Sequence, residues 1–159
     1  MANGYAYNAA ANEAKAIGVA MPISFKSSVE VCRWLRGQKV EQAYKMLDRA
    51  AALKEAVPFT RYFEEIAHQK NVGPGKFPVK ACTYIKRIIE SAEKNAQFKG
   101  LNSSNLIIKH IAAQSGGKVF HQGRNGRQGK NAHIEVVLAE GMKTEKKVKK
   151  EGGKAAPKK

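Results

Sequence analysis

The residues best suited to chemistry are cations spaced along a glycine-rich stretch. Gly116 to Ala132 reads GGKVFHQGRNGRQGKNA. Lys118, Arg124, Arg127 and Lys130 supply phosphate contacts, and arginine also stacks on bases. Phe120 and His121 add stacking surfaces. Glycines at 116, 117, 123, 126 and 129 keep the stretch narrow and let its backbone approach a partner closely. Lys94 to Ile134 holds seven basic residues and no acid. The glycine-rich segment has too few apolar side chains to form core, and a connection this long in a small domain is usually functional or disordered. It reads as an arm, spanning 114–132, that reaches into a polyanion. With roughly seven or eight extended residues on each side, it would project about 25 Å at a rise of ~3.3 Å per residue.

The elements that must hold this arm are legible on either side. Leu106–Ala113 and His133–Ala139 read as two strands, with Ile134, Val136 and Leu138 alternating to make one strongly apolar face. Upstream, Ser24 is an expected N-cap for a helix running to Arg36, with Phe25, Val29, Cys32 and Leu35 on one face and Gly37 at the C′ position. A second helix covers roughly Val40 to Leu53, with Val40, Ala43, Tyr44, Leu47, Ala50 and Ala51 inward. A connector containing Pro58, Pro74 and Pro78 follows, with Arg61, His68 and Lys70 as surface groups. A third helix opens near Pro78, a residue favoured at the first helical position, and stops at Gly100. Its apolar stripe is Val79, Cys82, Ile85, Ile88, Ile89, Ala92 and Ala96. The expected fold class is α+β, with three helices packed on one face of a small antiparallel sheet from which a long extended hairpin projects. Ala20–Ile23 is available as a third strand. Residues 1–19 read as a lead-in, 20–140 as the binding domain and 141–159 as a basic tail too poor in apolar surface to fold alone.

Charge narrows the partner. The 159 residues carry 29 Lys and Arg against 13 acids, a formal net charge of +16. The tail from Lys143 supplies +6 of this, so the rest of the chain still carries +10. Such a balance repels itself unless a partner supplies negative charge. Nucleic acid fits best and a membrane surface second. No apolar run is long enough to span a bilayer and no secretory leader is evident, so a cytoplasmic protein is expected. Cys32 and Cys82 fall on apolar helix faces and read as small buried hydrophobes, and the four histidines lack metal spacing. Neither a metal nor another cofactor is expected.

Other motifs are weaker. Val72-Gly-Pro-Gly-Lys76 lacks phosphate-loop spacing and reads instead as a loop set against an RNA backbone, with Lys76 as its cation. Lys80, Arg87 and Lys94 form a basic outer face on the third helix. Trp34 reads as a residue flanking the core. The acid pairs Glu64-Glu65 and Glu90/Glu93 have no matching His or Cys, so an enzyme is not expected. A DNA architectural protein with a basic β-arm in a minor groove is the alternative. Such proteins usually dimerise through an apolar seam, and this chain shows no spare apolar face.

Ordered short stretches then carry a resemblance. They are Phe25-Lys-Ser27, Leu35-Arg-Gly37, Val57-Pro-Phe-Thr-Arg-Tyr62, Gly75-Lys-Phe-Pro-Val-Lys80, Ser91-Ala-Glu-Lys-Asn-Ala96, Lys99-Gly-Leu101, His110-Ile-Ala112 and His133-Ile-Glu135. Across residues 20 to 140 the chain resembles the universal large-subunit ribosomal protein family numbered twenty-two in bacteria and seventeen in the eukaryotic cytosol. Val57–Tyr62 and Gly75–Lys80 resemble its archaeal and eukaryotic branch. The resemblance implies a body near the exit of the peptide tunnel and a β-hairpin, here 116–132, running along the tunnel wall. It implies large-subunit ribosomal RNA, neighbouring ribosomal proteins of the tunnel wall and exit, and the passing nascent peptide as partners. It also implies that Lys26, Arg36 and Lys39 face RNA, with Lys76 and Lys80 in the branch-specific loop. The hairpin is shorter than is usual in the family, and its tip is Gly123-Arg-Asn-Gly-Arg127.

Overall fold

The computed structural model describes residues 4–10, 12–121 and 127–141. Within them the chain begins with strand β1 (Glu13–Met21), then helices α1 (Phe25–Leu35) and α2 (Val40–Ala51). A ribbon of three very short strands follows: β2 (Val57–Pro58), β3 (His68–Gln69) and β4 (Gly73–Lys76). Helix α3 (Val79–Phe98) leads through a single 3-10 turn to β5 (Leu106–Ser115). The arm carries β6 (Val119–Phe120) and β7 (Gln128–Gly129), and β8 (Ala132–Glu140) closes the main sheet. The sheet order is β1-β8-β5, antiparallel throughout. The fold is therefore α+β, with the helices gathered on one sheet face.

The core lies between that face and the helices. Ile134, Val136 and Leu138 of β8 meet Ile108 and Ile111 of β5, Val31, Cys32 and Leu35 of α1, and Cys82, Ile85, Ile89 and Ala92 of α3. Trp34 packs against this cluster, as expected of a flanking residue. Both thiols are buried, which pushes Cys32 up to about 12 and Cys82 up to about 11 and keeps them unreactive.

Several elements differ from their sequence expectation. The third strand exists, but it starts at Glu13 rather than Ala20, so the division at residue 19 cuts through it. Lys15 and Val19 disguise the strand, because β1 lies at a sheet edge and need bury only part of its length. On α1 the inward residue is Val31, not Val29, and Ser24 sits at the N-cap without a side-chain cap bond. Ser24 contributes its carbonyl instead, accepting from the Ser28 hydroxyl at 2.9 Å. Met46 of α2 takes the buried place expected for Tyr44, whose hydroxyl reaches out to donate to Glu93 at 2.6 Å. Pro78 is the N-cap of α3 rather than its first residue, and Val79 is exposed.

The second face of the sheet is also covered. Residues 4–10 cross it as a strap, with the Ala6 N–H donating to Glu135 at 2.8 Å and the Tyr7 ring stacked on His110 at 4.9 Å. This explains why Glu135 and Val137 are buried although they point away from the helices. Glu135 also meets His110 Nε2 at 2.8 Å, and Glu13 pairs with Lys109 while accepting from the Ala10 N–H at 3.0 Å. That pairing, chiefly the Lys109 hydrogen bond, holds the Glu13 carboxyl below its ordinary value.

Candidate nucleic-acid interface

One carboxylate organises the first part of the interface. Glu30 of α1 is 1% exposed, an expensive place for a charge unless it is fully hydrogen-bonded. One oxygen accepts from the backbone N–H groups of Arg61 at 2.8 Å and Tyr62 at 2.9 Å. The other accepts from the N–H of Thr60 at 3.2 Å and its hydroxyl at 3.3 Å. Burial alone would raise the pKa, but these donors outweigh it and hold the carboxyl below its ordinary range. The loop after β2 is thereby pinned onto α1. Lys26, Phe59, Arg61, Tyr62 and Lys76 then line one cleft together with Glu64 and Glu65. Lys26 and Arg61 both lie over the Tyr62 ring, at 5.6 and 5.5 Å, and Lys76 lies over Phe59 at 5.9 Å. Phe59 is itself core, 4% exposed, so the cleft offers cations beside one partly buried ring, that of Tyr62.

A second cleft adjoins the first at Ser24 and Ser27 and runs between the starts of α1 and α3. It is lined by Pro22, Phe77, Pro78, Lys80 and Lys130 among others. Neither helix carries an acid in its first turn, so the partial positive charge of both N-terminal ends is left uncompensated there. A third cleft continues past Pro22, Lys80 and Lys130 to Val119, His121 and Gln128 of the arm. The three together form one trough from the β2–β4 ribbon to the arm.

Two irregularities bring the arm to the trough. Beyond Ser115↔Ala132, the outgoing strand advances from Gly116 to Val119 while the return strand moves only from Asn131 to Gly129. One extra residue on one side bends a hairpin and increases its twist. Gly116 permits the close approach at its base, because a Cβ there would lie 2.5 Å from Cγ of Asn131. In β1 the register shifts between Gly18 and Met21, with Ala20 at φ 54 and its N–H donating to Nδ1 of His133 at 3.0 Å. That bulge sets Pro22 beside the arm.

The structure gathers some expected site residues and separates others. Lys26 and Lys76 share the first cleft, while Lys80, Lys130 and His121 share the arm end of the trough. Arg36 and Lys39 lie elsewhere, at the α1–α2 turn that clamps the edge of β5. There Arg36 donates to the Ile111 carbonyl at 3.0 Å, and Gly37, at φ 79, donates its N–H to Ile108 at 2.9 Å. Arg87 is exposed on α3 with its guanidinium 5.6 Å from the Tyr84 ring. Lys118 and Arg127 are exposed on the arm, and Arg124 lies outside the described residues. Phe59 and Tyr62 were not among the expected site residues, though the Pro-Phe-Thr-Arg-Tyr run signals aromatic groups interleaved with a cation.

The chain is similar to known proteins along most of its length. A family model described as Ribosomal protein L22p/L17e matches residues 16–139. A Thermoplasma acidophilum protein called large ribosomal subunit protein uL22 is 39% identical over 144 residues, covering 87% of this chain and 95% of its own length. The protein of that name from Methanococcus vannielii is 39% identical over 136 residues, covering 80% of this chain and 89% of its own. That of Archaeoglobus fulgidus is 43% identical over 106 residues, covering 65% of this chain and 68% of its own. With the match spanning β1 to β8 and including both the arm and the pinned loop, the chain belongs to the Ribosomal protein L22p/L17e family.

Proposed function

We propose that this chain is a structural constituent of the large ribosomal subunit that binds large-subunit ribosomal RNA through the trough and the arm. The observation that carries the reading is the trough itself, in which Lys26, Arg61, Lys76, Lys80 and Lys130 converge from four separate parts of the chain beside Phe59 and Tyr62. The arm lines the wall of the peptide exit tunnel, passing the nascent peptide and meeting neighbouring ribosomal proteins. The body anchors it in RNA. Arg36, Lys39 and Arg87 give the body further contacts outside the trough.

Co-sedimentation tests the reading. The full chain is expected to travel with large subunits and to be released by ribonuclease. Free of the particle, it is expected to bind a large-subunit ribosomal RNA transcript with affinity that falls steeply as salt rises. Six neutralised phosphates give a log–log slope of about −4 to −5. A slope near zero, or retention after ribonuclease treatment, overturns it.

A further inference from the structure

We infer that Lys80 of α3 and Lys130 of the arm form a single clamp on one RNA phosphate, so that arm and body make one composite site rather than two; the inference rests on the RNA-binding reading above. The second and third clefts have Pro22, Lys80 and Lys130 in common. These residues therefore lie where the two clefts meet, and a strand passing from the ribbon toward the arm crosses there. Among the described residues no carboxylate lines either cleft, and none pairs with either lysine. Glu64 and Glu65 reach only the cleft at the far end. Two like charges lining the same clefts are relieved by an anion bound there, and a backbone phosphate supplies the charge and the acceptor oxygens for both. Pro22 lines both clefts without a backbone N–H, leaving the lysines to hold the strand. The two lysines lie 50 positions apart in the sequence, Lys80 on α3 and Lys130 beside β7 of the arm, and only the fold brings them to the same clefts.

The clamp is tested by the salt dependence of binding to a large-subunit ribosomal RNA transcript, using the full chain, Lys80→Gln, Lys130→Gln and the double variant. Both lysines are exposed, so the melting temperature of each variant serves only to check that folding is unchanged. If one phosphate is shared, either lysine alone still neutralises it. The log–log slope then changes little in each single variant and falls in magnitude by about 0.7 in the double. Two separate contacts instead lower it by about 0.7 in each single variant and about 1.4 in the double, which overturns the clamp and leaves RNA binding standing. An unchanged slope in all three variants overturns the clamp as well. A flat salt dependence in the unaltered chain overturns the RNA reading itself.

Discussion

The carboxylate of Glu30 lies 2.9 Å from the backbone nitrogen of Tyr62, and this bond ties a helix to the loop that carries the aromatic end of the trough. Replacing Glu30 with Gln keeps one carbonyl oxygen but turns the other oxygen into a donor facing Thr60. The expected cost is about 1–3 kcal/mol in urea unfolding, the usual penalty for stranding a buried donor. The sign of the pH effect follows from the depressed folded pKa. The stability contributed by the Glu30 carboxylate is complete above the ordinary carboxylate value and is lost as pH falls through the lower folded value. Glu30→Gln is therefore less stable than the parent at neutral pH and converges on it in acid. Equal stability at pH 7 shows that the loop does not depend on this carboxylate.

A second prediction concerns the strap. Glu135, 2% exposed, bonds His110 with one oxygen and the Ala6 N–H with the other, while Tyr7 covers the His110 ring. Removing residues 1–10 opens Val137 and Glu135 to water and frees Lys109 from the Tyr7 ring, 5.9 Å away. The denaturation midpoint is expected to fall, with a loss of about 1–3 kcal/mol. Glu135→Gln is expected to cost less in the shortened chain than in the full one, because one of its two partners has already gone. Identical costs in both chains mean that the strap and Glu135 are not coupled.

Periodicity made the core of this fold legible, and it failed where burial is not periodic. Helix α3 buries Cys82, Ile85, Ile89 and Ala92 at helical spacing, and β8 buries Ile134, Val136 and Leu138 at alternate positions. Strand β1 was harder to see because it reads EAKAIGVAM, with a bulge at Ala20 and an exposed outer half. The β2–β4 ribbon consists of strands two to four residues long, which no periodic pattern can mark. The arm was legible from charge and glycine alone. The trough was not, since Lys80 and Lys130 line the same clefts only through the tertiary fold, and Tyr62 is positioned by a glutamate 32 residues earlier. The sequence offered no sign that Glu30 is buried rather than a solvated helix residue.

The last prediction separates body from arm. Residues Gly117–Lys130 can be deleted and Gly116 joined to Asn131 through a two-residue Asn-Gly turn, the shortest connection that matches the twist of a hairpin. Pairing of β5 with β8 through Ser115↔Ala132 is retained, and the core lies wholly within the remaining elements. The arm's own side chains are mostly exposed, with Val119 at 49% and Phe120 at 66%, so little buried surface is lost. The shortened chain is therefore expected to fold with a melting temperature close to that of the parent. It is also expected to join large subunits, because Lys26, Arg61 and Lys76 still line the far end of the trough and Arg36, Lys39 and Arg87 remain on the body. On the proposed placement of the arm at the tunnel wall, chemical probing should then find new exposure in the RNA there, because the deletion removes Lys118, Arg124 and Arg127. A chain that unfolds shows that the arm belongs to the structural core. Tunnel RNA as protected as before removes the arm from the tunnel wall.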